Sequence, residues 1–198
     1  MSVKYNFSAG SQGILHVKKI MKQFVLFLSI GVASGLMLVN IYTSLVDAKS
    51  WGNDIPNSIA TAREYFKVVN PGDFFRIFSP VNQLLAVIAV VIFWKSNPSL
   101  RLYLGSAAVL FVLCDALTFG YFYPRNDIMF HSAALTDTAL LKKTLSEWTS
   151  MNWVRTSMLL AGIVCGFYSL NKSYSEKIVN SKTQERETIE HVHLRNSY

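Results

Sequence analysis

Four long apolar blocks constrain this chain more than any other feature. They run from about Phe24 to Val46, Val81 to Trp94, Leu100 to Phe122 and Trp153 to Leu170. A bilayer core of ~30 Å takes about 20 apolar residues as a helix, and inside lipid each segment must satisfy its own backbone polar groups. Such blocks read as membrane-spanning helices. The totals agree: 51% of the 198 residues are hydrophobic and 16% are charged, where soluble domains are roughly a quarter charged. The expected fold is all-α: a four-helix transmembrane bundle, with a partly helical extramembrane cap between helices 1 and 2 and an amphipathic helix before helix 4.

The chain divides accordingly. Residues 1–23 form a basic N-terminal segment, 24–170 the membrane domain, and 171–198 a charged tail with little to bury, expected to be flexible. The first apolar run is too long for the ~7–15 residue core of a cleaved signal peptide. Residues 47–80 are too long for a bare loop and predict a packed cap. Within it Ser58–Val69 looks helical, with Arg63, Glu64 and Lys67 on a solvated face, and Asn70-Pro71-Gly72 stops it. Trp51, Phe74, Phe75 and Phe78 are expected near the membrane interface, and Phe74–Pro80 is available to lengthen the second block. Ser96-Asn97-Pro98-Ser99 makes blocks two and three a hairpin. Thr136–Met151 alternates Leu140, Leu141, Leu145 and Trp148 with Asp137, Lys142, Lys143 and Glu147, an amphipathic helix that can run into block four. Gly31/Gly35 and Gly162/Gly166 each repeat a small-xxx-small spacing suited to close helix packing.

The net charge of +7 does not indicate nucleic acid, because the basic residues flank the apolar blocks, where they set topology. With both termini in the cytoplasm, the inside segments are the richer in Lys and Arg, and the two long excursions carry most of the acids. The Asn6-Phe7-Ser8 sequon then has little meaning. Cys114 and Cys165 both lie in apolar blocks and form no Cys-x-x-Cys pair, so neither a disulfide framework nor a thiol-redox motif is expected. His16 stands apart from any second ligand at metal spacing, His191 and His193 read as tail residues, and His131 reads as an exposed loop histidine. No metal and no cofactor is expected. The expected partners are the lipid bilayer and a small hydrophobic ligand, with a homo- or hetero-oligomer left open.

This topology collects polar side chains at one membrane level. Asn40 and Asp47 end helix 1 there, Asn82 and Gln83 begin helix 2, Asp115 and Thr118 approach on helix 3, and Asn152 and Arg155 begin helix 4. Trp148, Asn152 and Arg155 are spaced i, i+4, i+7 and share one helical face. The inner halves of the helices are expected to lack such residues. A carboxylate two turns inside a span costs several kcal/mol unless it is paired, hydrated or protonated, and ionisable groups at that depth mark function. The simplest expectation is an Asp115–Arg155 ion pair under the two excursions. Two readings remain: a structural lock between helices, or a small-molecule pocket with Asp115 as acid/base and Arg155 holding an anion. A transport path is disfavoured, because no polar residues continue toward the cytoplasmic side.

Pro124-x-Asn126, a short amphipathic stretch, and Trp148-x-x-x-Asn152-x-x-Arg155 opening the last helix resemble the small four-helix membrane family that includes the anthrone oxygenases and many bacterial proteins. The resemblance covers about residues 24–170. It implies a bacterial inner-membrane protein and a cofactor-independent oxygenase acting on an activated phenolic carbon with O2. Asp115 would be the base, and Arg155 with Asn126 or Asn152 would steady the anion. Asn40, Asn82, Gln83, Thr118, Asn126, Trp148 and Asn152 would contact the substrate. The long first excursion, with Trp51, Asp54, Arg63 and Asp73, departs from the pattern and would reshape the roof of a pocket. A non-catalytic membrane scaffold or subunit of a larger complex is the alternative, and a small-solute transporter a lesser one.

Overall fold

The computed structural model describes residues 8–132 and 136–195, and these are all-helical with no strand. Among them, four helices are long and apolar enough to cross a membrane: Ile20–Gly52, Pro71–Ile92, Pro98–His131 and Thr138–Ser175. Asn6 of the sequon lies outside the described residues.

Helix α1 runs Ser8–Tyr42 and continues through a π-helical turn, Thr43–Asp47, into α2, Ala48–Gly52. After α3, Asn57–Tyr65, comes α4, Pro71–Ile92. The expected second block begins near Val81, whereas α4 begins ten residues earlier, because Asn70-Pro71-Gly72 starts this helix; it does not end the one before, since α3 stops at Tyr65, short of the Val69 expected. The Asn70 side chain accepts from the Gly72 N–H at 2.8 Å, and Asp73 accepts from the Asn70 N–H at 2.9 Å. Pro71 at the first helical position has a fixed φ suited to the helix and no N–H to leave unpaired. Pro80 sits inside α4, where a proline normally ends a helix; here α4 continues through it. Asn82 and Gln83 therefore lie about midway along α4, ~17 Å from its start at 1.5 Å per residue, and not in its first turn.

Helix α5, Pro98–Leu117, is capped by Asn97, whose side chain accepts from Ser99 N–H at 2.9 Å. It passes through a second π turn, Thr118–Phe122, the short α6, Tyr123–Asn126, and a third π turn, Asp127–His131. The last helix, α7, runs Thr138–Arg195 without a break between the amphipathic stretch and the apolar block, and its backbone passes Leu170, where the tail was expected to begin.

The four long helices share one core. Leu26, Ile30 and Ala33 of α1 recur at helical spacing and meet Ala86 and Ala89 of α4, Leu104 and Phe111 of α5, and Leu159 and Ile163 of α7. The two glycine ridges serve different purposes. Gly162 lies under the Phe111 ring, where a Cβ would collide, and a Cβ on Gly166 would come within 2.9 Å of Ile30. Gly31 and Gly35 have nothing within 4 Å and lie on an outward groove with Phe24, Phe27, Phe74 and Phe78. The inner half is not free of buried polar groups: Gln23, Ser29 and Ser169 are all buried. The Ser169 hydroxyl is satisfied by its own helix, donating to Cys165 C=O at 2.9 Å.

A second core forms the roof, built from Trp51, Ile59, Phe122, Met129, Leu141 and Trp148. Trp51, expected at the interface, is buried here, with its ring centroid 5.5 Å from Trp148 and 5.0 Å from Phe130. Arg63 does not point to solvent as expected. It donates to three carbonyls at the end of the third π turn: Met129 at 2.7 Å, Ser132 at 2.8 Å and Ile128 at 3.3 Å. Carbonyls at a helix end lack intrahelical donors, and a guanidinium fork carries enough N–H groups to serve several of them. The first excursion is thereby tied to the second.

Candidate functional site

Arg155 is the hub. It projects from α7 and is 7% exposed. Its Nη2 donates to Asn40 Oδ1 and to Asn152 Oδ1, each at 2.6 Å, and its Nη1 donates to Thr118 Oγ1 at 3.2 Å. The guanidinium carbon lies 4.2 Å from the Phe122 ring centroid and 5.1 Å from that of Phe75, within reach of cation–π attraction. Asn152 in turn donates to Asn40 C=O at 3.0 Å and to Ser44 Oγ at 2.6 Å. One turn earlier, Trp148 Nε1 donates to Asn126 Oδ1 at 2.9 Å. The Trp148/Asn152/Arg155 face thus binds α7 to α1, α5 and the segment after α5.

Asp115 does not pair with Arg155. Among the described residues no ion pair joins them; the Asp115 carboxylate accepts from Gln83 Nε2. Arg155 takes neutral acceptors from three elements, which engage both of its terminal nitrogens without bringing a second charge into the core. Both charged side chains nevertheless line the same cavity, about 630 Å³ in volume, between the roof, the N-terminal half of α4 and the C-terminal end of α5. Its walls are mainly aromatic, with Trp51, Phe66, Phe75, Phe119, Phe122 and Trp148 among them, and Asp115 is the one carboxylate in the lining. Of its basic residues, Arg63 is spent on carbonyls, while Lys67 and Arg76 make exposed pairs with Glu64 at 3.4 Å and Asp73 at 3.0 Å, which count for little. His131 also lies on the wall and is largely exposed, with Nδ1 3.3 Å from Asp127.

The residues singled out by sequence separate into three groups. Asp115, Thr118, Asn126, Trp148 and Arg155 line the large cavity. Asn40 and Asn82 line a small chamber of about 20 Å³ beside it, which Ser79, Asp115, Thr118 and Arg155 share. Gln83 and Asn152 touch neither space and act through Asp115 and Arg155. Sequence reasoning missed Phe75 and Ser79, which stand with Asn82 at i, i+4, i+7 on α4; a helix started at Pro71 would have displayed that face. Phe122 lay inside an aromatic run with nothing to single it out. The π turns at Thr43–Asp47 and Thr118–Phe122 fall at the level of this polar cluster. Such turns interrupt regular helical phase and are frequent at functional sites, and here they hold Thr43, Ser44, Thr118 and Phe122.

The family model described as Anthrone oxygenase matches residues 74–165. That stretch contains Asp115, Asn126, Trp148, Asn152 and Arg155, and leaves out α1 with Asn40 and the first excursion up to residue 73. No curated protein and no solved structure matches the chain.

Proposed function

We propose that this anthrone oxygenase-like membrane protein oxidises a small, mainly apolar substrate with an acidic C–H, using O2 and no cofactor. The observation that carries the reading is one carboxylate, Asp115, and one immobilised guanidinium, Arg155, on the wall of a 630 Å³ cavity otherwise rich in aromatic rings. Pockets of ~300–1,000 Å³ with apolar walls and few polar groups suit small organic ligands.

Asp115 takes the proton from the activated carbon, leaving a carbanion whose charge spreads onto a neighbouring enolate or phenolate oxygen. Arg155, already fixed by three partners, faces that developing charge without having to reorganise. The carbanion bonds to O2, and the peroxide takes back the proton as a hydroperoxide. Removal of the second C–H proton expels hydroxide as the O–O bond breaks and the carbonyl forms; that proton converts the hydroxide to water. A CH2 and O2 thus become C=O and H2O. A scaffold has no need of such a cavity. Both termini are assigned to the cytoplasmic side of a bacterial inner membrane, supported by the basic bias of the inside segments.

The test separates the proton step from the oxygen step. In nanodiscs under anaerobic D2O, the wild type is expected to speed deuterium incorporation at the methylene of an anthrone probe over the protein-free rate. Asp115→Asn is expected to lose this by about 10²-fold or more. Equal incorporation in both proteins would remove Asp115 as the base.

A further inference from the structure

The small chamber beside the cavity is lined by Asn40, Ser79, Asn82, Asp115, Thr118 and Arg155, with apolar residues closing its other side. Three atoms of these residues are fully buried and have no hydrogen-bond partner: Asn40 Nδ2, Asn82 Oδ1 and Arg155 Nε. Unpaired buried polar atoms are rare in folded proteins, and three of them on residues that line one chamber call for a common explanation. Asn40 cannot resolve its own case by flipping its amide, because its Oδ1 holds Arg155 Nη2 at 2.6 Å.

We infer that the chamber binds one ordered water molecule that bridges Arg155, Asn40 and Asn82 to the Asp115 carboxylate. The volume decides the class of ligand. About 20 Å³ exceeds the ~10–15 Å³ that a water needs and excludes larger molecules. Valence agrees. Arg155 Nε–H and Asn40 Nδ2–H donate to the water oxygen, filling both of its lone pairs. One water hydrogen goes to Asn82 Oδ1, and the other to the Asp115 carboxylate, which has lone pairs to spare beside its contacts with Gln83 and Ser79. The Asp115–Arg155 pairing is then indirect, through water. The inference goes beyond the reading above and does not depend on it.

A structure of the wild type in lipid at a resolution that shows ordered water tests the site directly. Density within hydrogen-bond distance of Asn82 Oδ1, Asn40 Nδ2 and Arg155 Nε is expected. An empty chamber, or Arg155 Nε bonded straight to Asn82, overturns the proposal. Proton-detected solid-state NMR in bilayers supplies a second readout. The Arg155 Nε–H resonance is expected to show a water cross-peak in the wild type that is lost in Asn82→Leu, whose side chain fills the chamber without the acceptor. A cross-peak unchanged in Asn82→Leu, or absent from the wild type, contradicts it. Neither measurement requires turnover, so the water site can fail while Asp115 remains the base, and the reverse.

Discussion

Arg155 and Asp115 are both ionisable groups within helices that can span a membrane, yet substitution should affect them differently. Arg155 stabilises the fold: removing its guanidinium strands the buried Asn40 and Asn152 side-chain oxygens, while the Thr118 hydroxyl keeps its own bond to Cys114 C=O. Arg155→Gln is expected to cost about 3 kcal/mol, the scale for breaking a buried hydrogen-bonded charge network, read as a lower midpoint in detergent unfolding. Asp115→Asn keeps an acceptor for Gln83 and is expected to change stability by less than ~1 kcal/mol, while abolishing the proton step. The sequence made these two residues visible because charges are rare in apolar blocks. It could not show that they avoid a direct pair. That depends on Asn152, one turn earlier on the same helix, and Asn40, from a helix more than a hundred residues away, meeting the guanidinium first.

Elements were legible where a periodic pattern had a clear boundary. The 98–117 helix follows from Asn97-Pro98, and the fused α7 from the amphipathic phase of 138–151 running into the block after it. The start of α4 was obscured by Pro80, a local signal overridden by the Asn70/Asp73 capping box. Arg63 was illegible for another reason: its partners are carbonyls more than sixty residues away, and carbonyls leave no mark in sequence. Arg63→Ala is expected to loosen the contact between the excursions, raising amide hydrogen exchange in 57–65 and 127–132 while leaving 98–117 protected. The two glycine ridges make a further contrast. Gly162→Val should destabilise the α5–α7 contact by about 1–3 kcal/mol because its side chain enters the Phe111 ring, whereas Gly31→Ala, with open space around it, should be within about 0.5 kcal/mol of the wild type. Thermal unfolding in one detergent compares them.

For the whole molecule, the topology makes a prediction independent of chemistry. In a Cys114→Ser, Cys165→Ser background, a cysteine at Thr61 in the roof is expected to react with a membrane-impermeant maleimide from outside intact cells. One at Asn171, past the last apolar block, is expected to react only after the cells are opened; the reverse pattern inverts the topology. Four helices long and apolar enough to cross a membrane were readable from apolar block lengths, since lipid leaves the backbone few alternatives. The aromatic cavity was not, because Trp51, Phe75, Phe122 and Trp148 come from four separate segments and only the fold assembles them. The arrangement puts one carboxylate and one fixed guanidinium on the wall of a mainly aromatic cavity beneath the roof.

Oxygen uptake tests the central claim most directly. Wild type and Asp115→Asn in nanodiscs, matched for folded content by thermal unfolding, are given an anthrone probe in air, and the protein-free rate is subtracted. The wild type is expected to consume one O2 for each carbonyl formed, and the variant to fall to background while remaining folded. Uptake that is equal in the two proteins, or no uptake above background in the wild type, would contradict the account.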